Sequence, residues 1–176
     1  MFKKIFITIL LCLSQQVNAG HFYMGPSVAY NSISNGNIKY QSLAARLALG
    51  YGALLSRTYY LAAELDATPN TLRVGRNDTI NNYSLENTYS YAAAILPGYL
   101  YDNLTLLYLR LGVVNTRFNQ LDTTKPGFQL GVGIDMHLLG CWSVRGEYGY
   151  FIYRSMNTVG TPKANDFSIG ALYRFG

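Results

Sequence analysis

Nine ionisable residues recur at alternate positions within apolar stretches, and their chemistry suits an internal network of ion pairs. They are Arg46, Glu64, Asp66, Arg110, Asp135, Arg145, Glu147, Asp166 and Arg174. Alternate residues of a β-strand point to the same face, so these side chains would all face one side of a sheet. A buried charge without its partner costs roughly 3 to 5 kcal/mol. We therefore expect a nearly fully paired structural network, with a gated proton or ion path as the alternative.

Residues that could form a catalytic or metal centre are few. The chain has two histidines, His21 and His137, and two cysteines, Cys12 and Cys141. A hydrolase of the serine type needs a serine and a histidine within hydrogen-bond reach, and a structural zinc site of the usual Cys/His type needs four ligands. The sequence offers neither arrangement. We expect no enzyme activity, no cofactor and no metal site.

The elements that must position the charged residues are short strands, recognised from a two-residue period. From Phe22 onward the chain divides into eight segments of about ten residues, in which one phase is large, apolar and uncharged. Leu43–Tyr51 and Phe128–Met136 are examples. In a water-soluble barrel the apolar phase would line the interior and the charges would face solvent. Here the charge-free phase is the more continuous one, which predicts an all-β, eight-stranded antiparallel transmembrane β-barrel.

The connections between these segments alternate in length. Short ones are predicted at 55–58, 100–103 and 138–141, and long ones at 31–42, 68–87, 115–126 and 152–164. Aromatic residues gather at both ends of the segments and predict two girdles at the membrane interfaces. Two prolines fall within predicted strands, so we expect a β-bulge at Gly25–Pro26 and a strand end near Pro97.

The predicted long loops carry an excess of positive charge. Arg73 and Arg76 lie in the longest loop, and the whole set of candidate contact residues is Lys39, Arg73, Arg76, Arg117, Lys125, Arg154 and Lys163. Three acidic residues, Asp78, Glu86 and Asp122, accompany them. Positive charges grouped in the loops at one end of the barrel would attract anionic partners. A solvated surface without a specific ligand is the alternative.

The first nineteen residues have the organisation of an export signal. Lys3 and Lys4 precede an apolar run from Ile5 to Leu13, and Val17–Ala19 supplies the small-residue pattern of a cleavage site. The run is shorter than the roughly 20 residues that span a bilayer. We expect a signal peptide at 1–19, removed after Ala19, and a barrel domain at 20–176. Cleavage would leave Cys141 as the lone cysteine, so no intramolecular disulfide is expected.

Several segments resemble the small bacterial outer-membrane β-barrels, the group that includes the OmpA transmembrane domain, OmpX and the opacity-type proteins. The resemblance rests on Phe22–Gly25, Leu96–Tyr99, Gly131–Asp135 and Ala171–Phe175, which together span the chain after the signal. It implies a location in the outer membrane of a Gram-negative bacterium. The last of these segments is similar to the signal read by the barrel-assembly machinery, although Phe175 is followed here by Gly176.

The resemblance and the loop charges together indicate a structural or surface-interaction protein. We expect adhesin-like binding through extracellular loops and no open pore; a narrow porin-like channel or, less favoured, an outer-membrane lipid-modifying enzyme is the alternative. The expected partners are outer-membrane lipids, lipopolysaccharide, the barrel-assembly machinery, and host-surface or polysaccharide ligands. Nucleic acid is not among them.

Overall fold

The computed structural model describes residues 18–35, 38–77, 87–118, 123–138, 140–154 and 161–175. Within these ranges the chain forms eight β-strands in sequence order. They are β1 (Asn18–Asn35), β2 (Ile38–Leu54), β3 (Tyr59–Asn77), β4 (Asn87–Leu100), β5 (Thr105–Phe118), β6 (Thr123–His137), β7 (Trp142–Tyr153) and β8 (Lys163–Phe175). No helix in the described part of the chain has the length and apolar character needed to cross a membrane.

The strands close into a single antiparallel barrel. Each strand pairs with the next along the chain, and β8 pairs back onto β1. The closing ladder runs from Phe22 opposite Phe175 to Ser34 opposite Lys163. Closure pairs both sides of every strand and so removes the exposed sheet edges. The predicted eight-stranded antiparallel barrel is confirmed.

Side chains alternate between the outer surface and the interior, as the two-residue period predicts. On β5, Leu109 is 51% exposed on the outside, whereas its neighbours Tyr108 and Arg110 are buried inside, with Arg110 only 2% exposed. On β6, Val132 and Ile134 are exposed and Asp135 is buried. The barrel therefore has an apolar exterior and a charged interior, the reverse of a water-soluble barrel.

Three tight turns lie at the end of the barrel where β1 begins and β8 ends, which we call the proximal end. The backbone N–H of Leu55 donates to Tyr59 O at 2.8 Å, and the N–H of Tyr101 donates to Thr105 O at 2.9 Å. The third turn has the N–H of Leu138 bonded to Trp142 O at 2.9 Å. This turn contains Gly140 with a φ of 64°, a conformation that favours glycine. All three turns fall where short connections were predicted.

At the opposite, distal end the strands extend much further than predicted. The expected loop at 31–42 is mostly strand, because β1 continues to Asn35 and β2 begins at Ile38. Likewise β3 continues to Asn77, and the strands β5 and β6 take up most of the expected loop at 115–126. These outer segments are rich in polar residues and contain only isolated apolar ones such as Ile33 and Leu72, so the regular alternation that identifies a strand is missing from their sequence. The expected loop boundaries were therefore wrong for the connections at 31–42 and 115–126 and for the start of 68–87, whereas β7 ends at Tyr153 and β8 begins at Lys163, close to the expected 152–164.

The barrel accommodates its two strand prolines without the expected bulge. In the β1–β2 ladder, Pro26 lies opposite Leu47 in regular register. In the β1–β8 ladder, Gly25 and Pro26 have no paired residue, but the register is the same before and after them. In the β4–β5 ladder, Pro97 likewise has no paired residue, and the register is the same on both sides of it. A Cβ added to Gly25 would collide with the carbonyl oxygen of Ala171. A local gap in one ladder thus replaces the predicted bulge.

Candidate functional site

Arg110 is the centre of the interior charge network. It projects from the middle of β5 into the interior and donates hydrogen bonds to three carboxylates. Its Nε donates to Glu147 Oε2 at 2.8 Å, its Nη1 donates to Asp66 Oδ2 at 2.5 Å, and its Nη2 donates to Glu64 Oε1. All four side chains are almost completely removed from solvent. Each of the three nitrogens of this guanidinium group therefore donates to a different carboxylate.

Arg145 extends the network toward the proximal end. Its Nη1 donates to Glu64 Oε2 at 2.5 Å, and its Nη2 donates to Asp135 Oδ2 at 3.3 Å. The guanidinium carbon also lies 5.2 Å from the ring centroid of Tyr23 and 5.1 Å from that of Tyr108. Such cation–π contacts are favourable where the cation has lost its water. Arg145 is held by two carboxylates and two aromatic rings.

Two further arginines join the ends of the network. Arg46 Nη2 donates to Asp166 Oδ2 at 2.8 Å, and its Nη1 lies 3.7 Å from Glu147 Oε1. Arg174 Nη2 donates to Asp135 Oδ1 at 3.2 Å. The structure thus brings together all nine inward-facing charged residues that the alternation singled out. Five carboxylates face four guanidinium groups, so the network carries one excess negative charge.

Large apolar and aromatic side chains fill the interior on both sides of Arg110, which the sequence reasoning missed. The proximal apolar layer contains Tyr23, Tyr60, Ala62, Ala94, Leu96, Leu106, Tyr108 and Leu172, and the distal apolar layer contains Ile33, Val114, Phe151, Tyr153 and Ala164. Two cavities among the inward residues have volumes of only about 30 and 20 Å³. These residues share the inward phase with the charges, so the same alternation could have identified them.

The two histidines lie at the same end of the barrel. His21 and His137 both lie at proximal strand ends, on β1 and β6. His137 pairs with Ser143 across the β6–β7 ladder, but within the described residues His21 Nε2, His137 Nδ1 and Ser143 Oγ are buried without a hydrogen-bond partner. Among the described residues, no group of three or more His, Cys, Asp or Glu side chains is placed to hold a metal ion.

The candidate contact cations lie around the distal rim, but in strands rather than in the predicted loops. Only Arg154 lies outside a strand, directly after β7. The backbones of Lys39, Arg73 and Arg76 lie on the long outer parts of β2 and β3, where Arg76 is opposite Tyr40 and Arg73 is opposite Ser42. These three cations therefore belong to one two-stranded segment, which we call the β2–β3 arm (residues 38–43 and 72–77).

The remaining rim cations lie on β5, β6 and β8 and directly after β7, and Lys163 is close to the arm because it and Lys39 both pair with Ser34. Arg117 is opposite Tyr89 in the β4–β5 ladder, and its guanidinium carbon lies 5.9 Å from the centre of that ring. Lys125 pairs with Thr116, and Lys163 pairs with Ile152 and Ser34. The backbone N–H of Arg154 donates to Pro126 O at 3.0 Å. Positive charge is thus distributed around most of the rim.

The family model of the outer membrane protein β-barrel domain matches residues 6–175. The chain belongs to this family. No curated protein sequence matches it at a significant level. Among solved structures, Neisserial surface protein A is similar with 16% identity and a TM-score of 0.62, over 90% of this chain and 100% of that one. Ail, the attachment invasion locus protein of Yersinia pestis, is similar with 15% identity and a TM-score of 0.58, again over 90% of this chain and 100% of Ail.

Membership of this family fixes the location and the orientation of the barrel. Outer-membrane barrels have short turns on the periplasmic side and longer extracellular connections, so the proximal end is periplasmic and the distal rim is extracellular. The periplasmic girdle consists of aromatic pairs on neighbouring strands, with ring centroids 4.8 Å apart for Phe22–Tyr51, 6.0 Å for Tyr59–Tyr99 and 5.2 Å for Trp142–Tyr173. Tyr89, Tyr91, Phe128 and Phe167 are exposed toward the extracellular ends of their strands.

Proposed function

We propose that this outer-membrane barrel is a surface-interaction protein that binds anionic polysaccharide chains through its cationic extracellular rim. The observation that carries the proposal is the composition of that rim. Seven lysine and arginine residues lie at the distal ends of β2, β3, β5, β6, β7 and β8, and no carboxylate accompanies them within the described ranges. The sequence adds only Asp78, Glu86 and Asp122 between the distal strand ends. Such a field attracts flexible polyanions.

The β2–β3 arm is the part of the rim best suited to this role. A transmembrane strand needs about 9 to 11 residues, whereas β1, β2 and β3 have 18, 17 and 19. The arm therefore projects beyond the lipid and is free of membrane packing. Lys39, Arg73 and Arg76 lie within a few residues of one another on its two strands. Closely spaced cations on an extended surface complement the repeated charges of a sulfated or phosphorylated sugar chain.

One of the similar structures supports this choice of ligand. The structure of Ail contains the heparin analogue sucrose octasulfate. The fold is shared over most of both chains, so an eight-stranded barrel of this size is compatible with binding a highly sulfated sugar. For the present chain, the rim charges are the independent reason to test the same class of ligand. Binding, rather than catalysis, is part of the proposal, as are export and the removal of residues 1–19.

A closed lumen is the second part of the proposal. On β5, the inward residues Leu106 and Tyr108 precede Arg110 and Val114 follows it, so the charged centre lies between apolar layers. The lumen of an eight-stranded barrel is just wide enough to be filled by side chains. The inward side chains therefore act as a plug that stabilises the barrel and blocks a continuous water path.

The decisive experiment compares binding of the refolded protein to heparin and to neutral dextran. Replacing Lys39, Arg73 and Arg76 together by glutamine should weaken heparin binding about tenfold, if each charge contributes about 0.5 kcal/mol. Binding should also weaken between 0.1 and 1 M salt, since the Debye length falls from about 10 to about 3 Å. Arg57→Gln is the matched control, because Arg57 is an exposed cation in the opposite, periplasmic turn.

Both variants must keep the difference in gel migration between heated and unheated samples that marks a folded barrel. Equal heparin binding by the parent and the triple variant would contradict the role of the arm. If the protein bound dextran as strongly as heparin, or if its heparin binding did not change with salt, the electrostatic basis of the proposal would be contradicted.

A further inference from the structure

Gly146 makes a gap in the lipid-facing wall of the barrel. On the described strands, it is the only glycine in the outward phase between the two aromatic girdles. A glycine weakens a strand interior and often marks a place where a ligand approaches the backbone closely. Gly146 pairs with Ile134 on one side and with Ile169 on the other. It therefore lies in the middle of the membrane between large apolar neighbours.

Nothing in the barrel itself requires a glycine at this position. A Cβ added to Gly146 would have Ile134 Cγ2 as its nearest neighbour, at 3.7 Å, which is an ordinary van der Waals contact. The inward glycines differ, because a Cβ added to Gly133 would collide with the ring of Tyr108. Packing explains the inward glycine and leaves the outward one unexplained.

The gap forms part of an open apolar furrow with a volume of about 780 Å³. Its floor and walls include Leu109, Val132, Ile134, Gly146, Tyr148 and Phe167, and Tyr59 and Tyr99 lie at its periplasmic end. The furrow is shallow and open to the surrounding lipid along its length, so it suits an extended chain better than a compact ligand. Because the furrow is on the outer wall, whatever occupies it comes from the bilayer.

A polar and cationic patch lies beyond the other end of the furrow, toward the extracellular side. The hydroxyl of Tyr148 donates to Asn165 Oδ1 at 2.6 Å. Asn165 is two residues from Lys163 on β8, and Lys163 pairs with Ile152, two residues from Arg154. Lys163 and Arg154 are both exposed. An apolar furrow that leads to two cations matches an amphiphile with an anionic headgroup.

We propose that this furrow binds one acyl chain of a phosphorylated lipid of the outer leaflet, whose phosphate is held by Lys163 and Arg154. Amine and guanidinium groups are the usual partners of phosphate. A second copy of the barrel would fit less well, because the outward positions of the described strands carry no carboxylate to pair with the two cations. The site shares no residue with the β2–β3 arm, although Lys163 and Lys39 both pair with Ser34, and it does not depend on the polysaccharide proposal.

The test adds bis-phosphorylated lipid A to the detergent-solubilised barrel and counts retained lipids by native mass spectrometry. The parent should retain one molecule, and dephosphorylated lipid A should bind at least tenfold more weakly. Gly146→Val fills the floor of the furrow, and the double variant Arg154→Gln/Lys163→Gln removes the phosphate contacts, so each should lower the affinity about tenfold. Valine suits a strand position, and heat-modifiable migration verifies that Gly146→Val folds.

Ala45→Val is the matched control, because Ala45 is an outward alanine of β2 that lies outside the furrow. It should bind lipid A as the parent does. Unchanged binding by Gly146→Val, or equal binding of both forms of lipid A, would overturn the proposal. A dimer that is lost in Gly146→Val while lipid binding persists would assign the furrow to a second copy. The Lys39/Arg73/Arg76 variant should keep its lipid, which separates this site from the polysaccharide site.

Discussion

The Tyr23 hydroxyl donates a 2.7 Å hydrogen bond to Glu64 Oε2, the same oxygen that accepts Arg145 Nη1. Tyr108 makes the equivalent bond to Glu147 at 2.8 Å. The two tyrosines thus contribute twice, since their hydroxyls bond carboxylates while their rings enclose the guanidinium group of Arg145. Aromatic residues of the proximal apolar layer are therefore part of the charge network.

Tyr23→Phe should separate these two contributions. The ring and its contact with Arg145 remain, and one hydrogen bond to a charged group is lost, which corresponds to about 1.5 to 3 kcal/mol. Tyr23→Ala should destabilise further, because it also removes a large buried ring. Urea unfolding in lipid vesicles measures both. Equal stability of Tyr23→Phe and the parent would show that the hydroxyl bond contributes nothing.

Arg110→Ala should be among the most destabilising interior substitutions. It leaves Glu64, Asp66 and Glu147 without the cation that joins them, at a cost of roughly 3 to 5 kcal/mol. Asp66→Asn is the comparison, because it removes the excess negative charge and its amide oxygen can still accept from Arg110. We expect that variant to lose about 1 kcal/mol or less. A larger loss for Asp66→Asn than for Arg110→Ala would contradict the central position of Arg110.

Planar-bilayer recordings should show no stable porin-like conductance for the parent at neutral pH. The reason is the apolar layers, which block water on both sides of the network. Arg110→Ala should also remain closed, since both layers are intact in it. A general porin inserted under the same conditions serves as the positive control. Stable single-channel steps from the parent would instead support the narrow-channel alternative.

Leu109→Arg and Val132→Arg should hinder assembly of the barrel. Both residues are about half exposed to lipid in the middle of their strands, where an arginine costs about 2 to 4 kcal/mol in such barrels. Thr124→Arg adds the same charge at the extracellular rim and should have little effect. The fraction of heat-modifiable protein after refolding into vesicles measures the difference. Comparable yields for all three variants would contradict the lipid-facing assignment of this surface.

Asp102 should give the periplasmic β4–β5 turn a dependence on acid. The backbone N–H groups of Leu104 and Thr105 donate to Asp102 Oδ1 at 2.8 and 2.5 Å and hold the pKa of this carboxyl below its ordinary value. A lowered pKa in the folded state means stabilisation that is complete above the ordinary value near 4 and is lost as the pH falls through the folded one. The stability difference between the parent and Asp102→Ala should shrink below about pH 4. A stability difference that grows on acidification would contradict a lowered pKa of Asp102 in the folded protein.

The alternation of residue types was sufficient to predict the barrel, its strand number, the inward direction of the charged side chains and the outward direction of the lipid-facing apolar ones. Leu109 and Arg110 illustrate why, since a bilayer outside and a sealed interior impose opposite chemistry on neighbouring positions. The periplasmic turns were predictable for the same reason, because alternation stops where the membrane ends.

The outer parts of the strands were not predictable from the same signal. Beyond the lipid the outward face of a strand meets water, so polar residues such as Ser32 and Ser34 fit a strand as well as a loop. The inward tyrosines were missed for a different reason. Tyr23 and Tyr108 share the inward phase with the charges, but only the three-dimensional pairing reveals that their rings enclose Arg145.

The missing ladder bonds at Gly25–Pro26 bear on how the barrel forms. β1 and β8 are the two strands furthest apart in sequence, and pairings between distant segments carry the largest loop-closure entropy and form slowly. The seam that we expect to join last thus has an interrupted ladder, and the backbone of Gly25 comes directly against Ala171 there. A side chain at residue 25 would obstruct this final closure, and half-assembled sheets with two open edges would accumulate in the membrane.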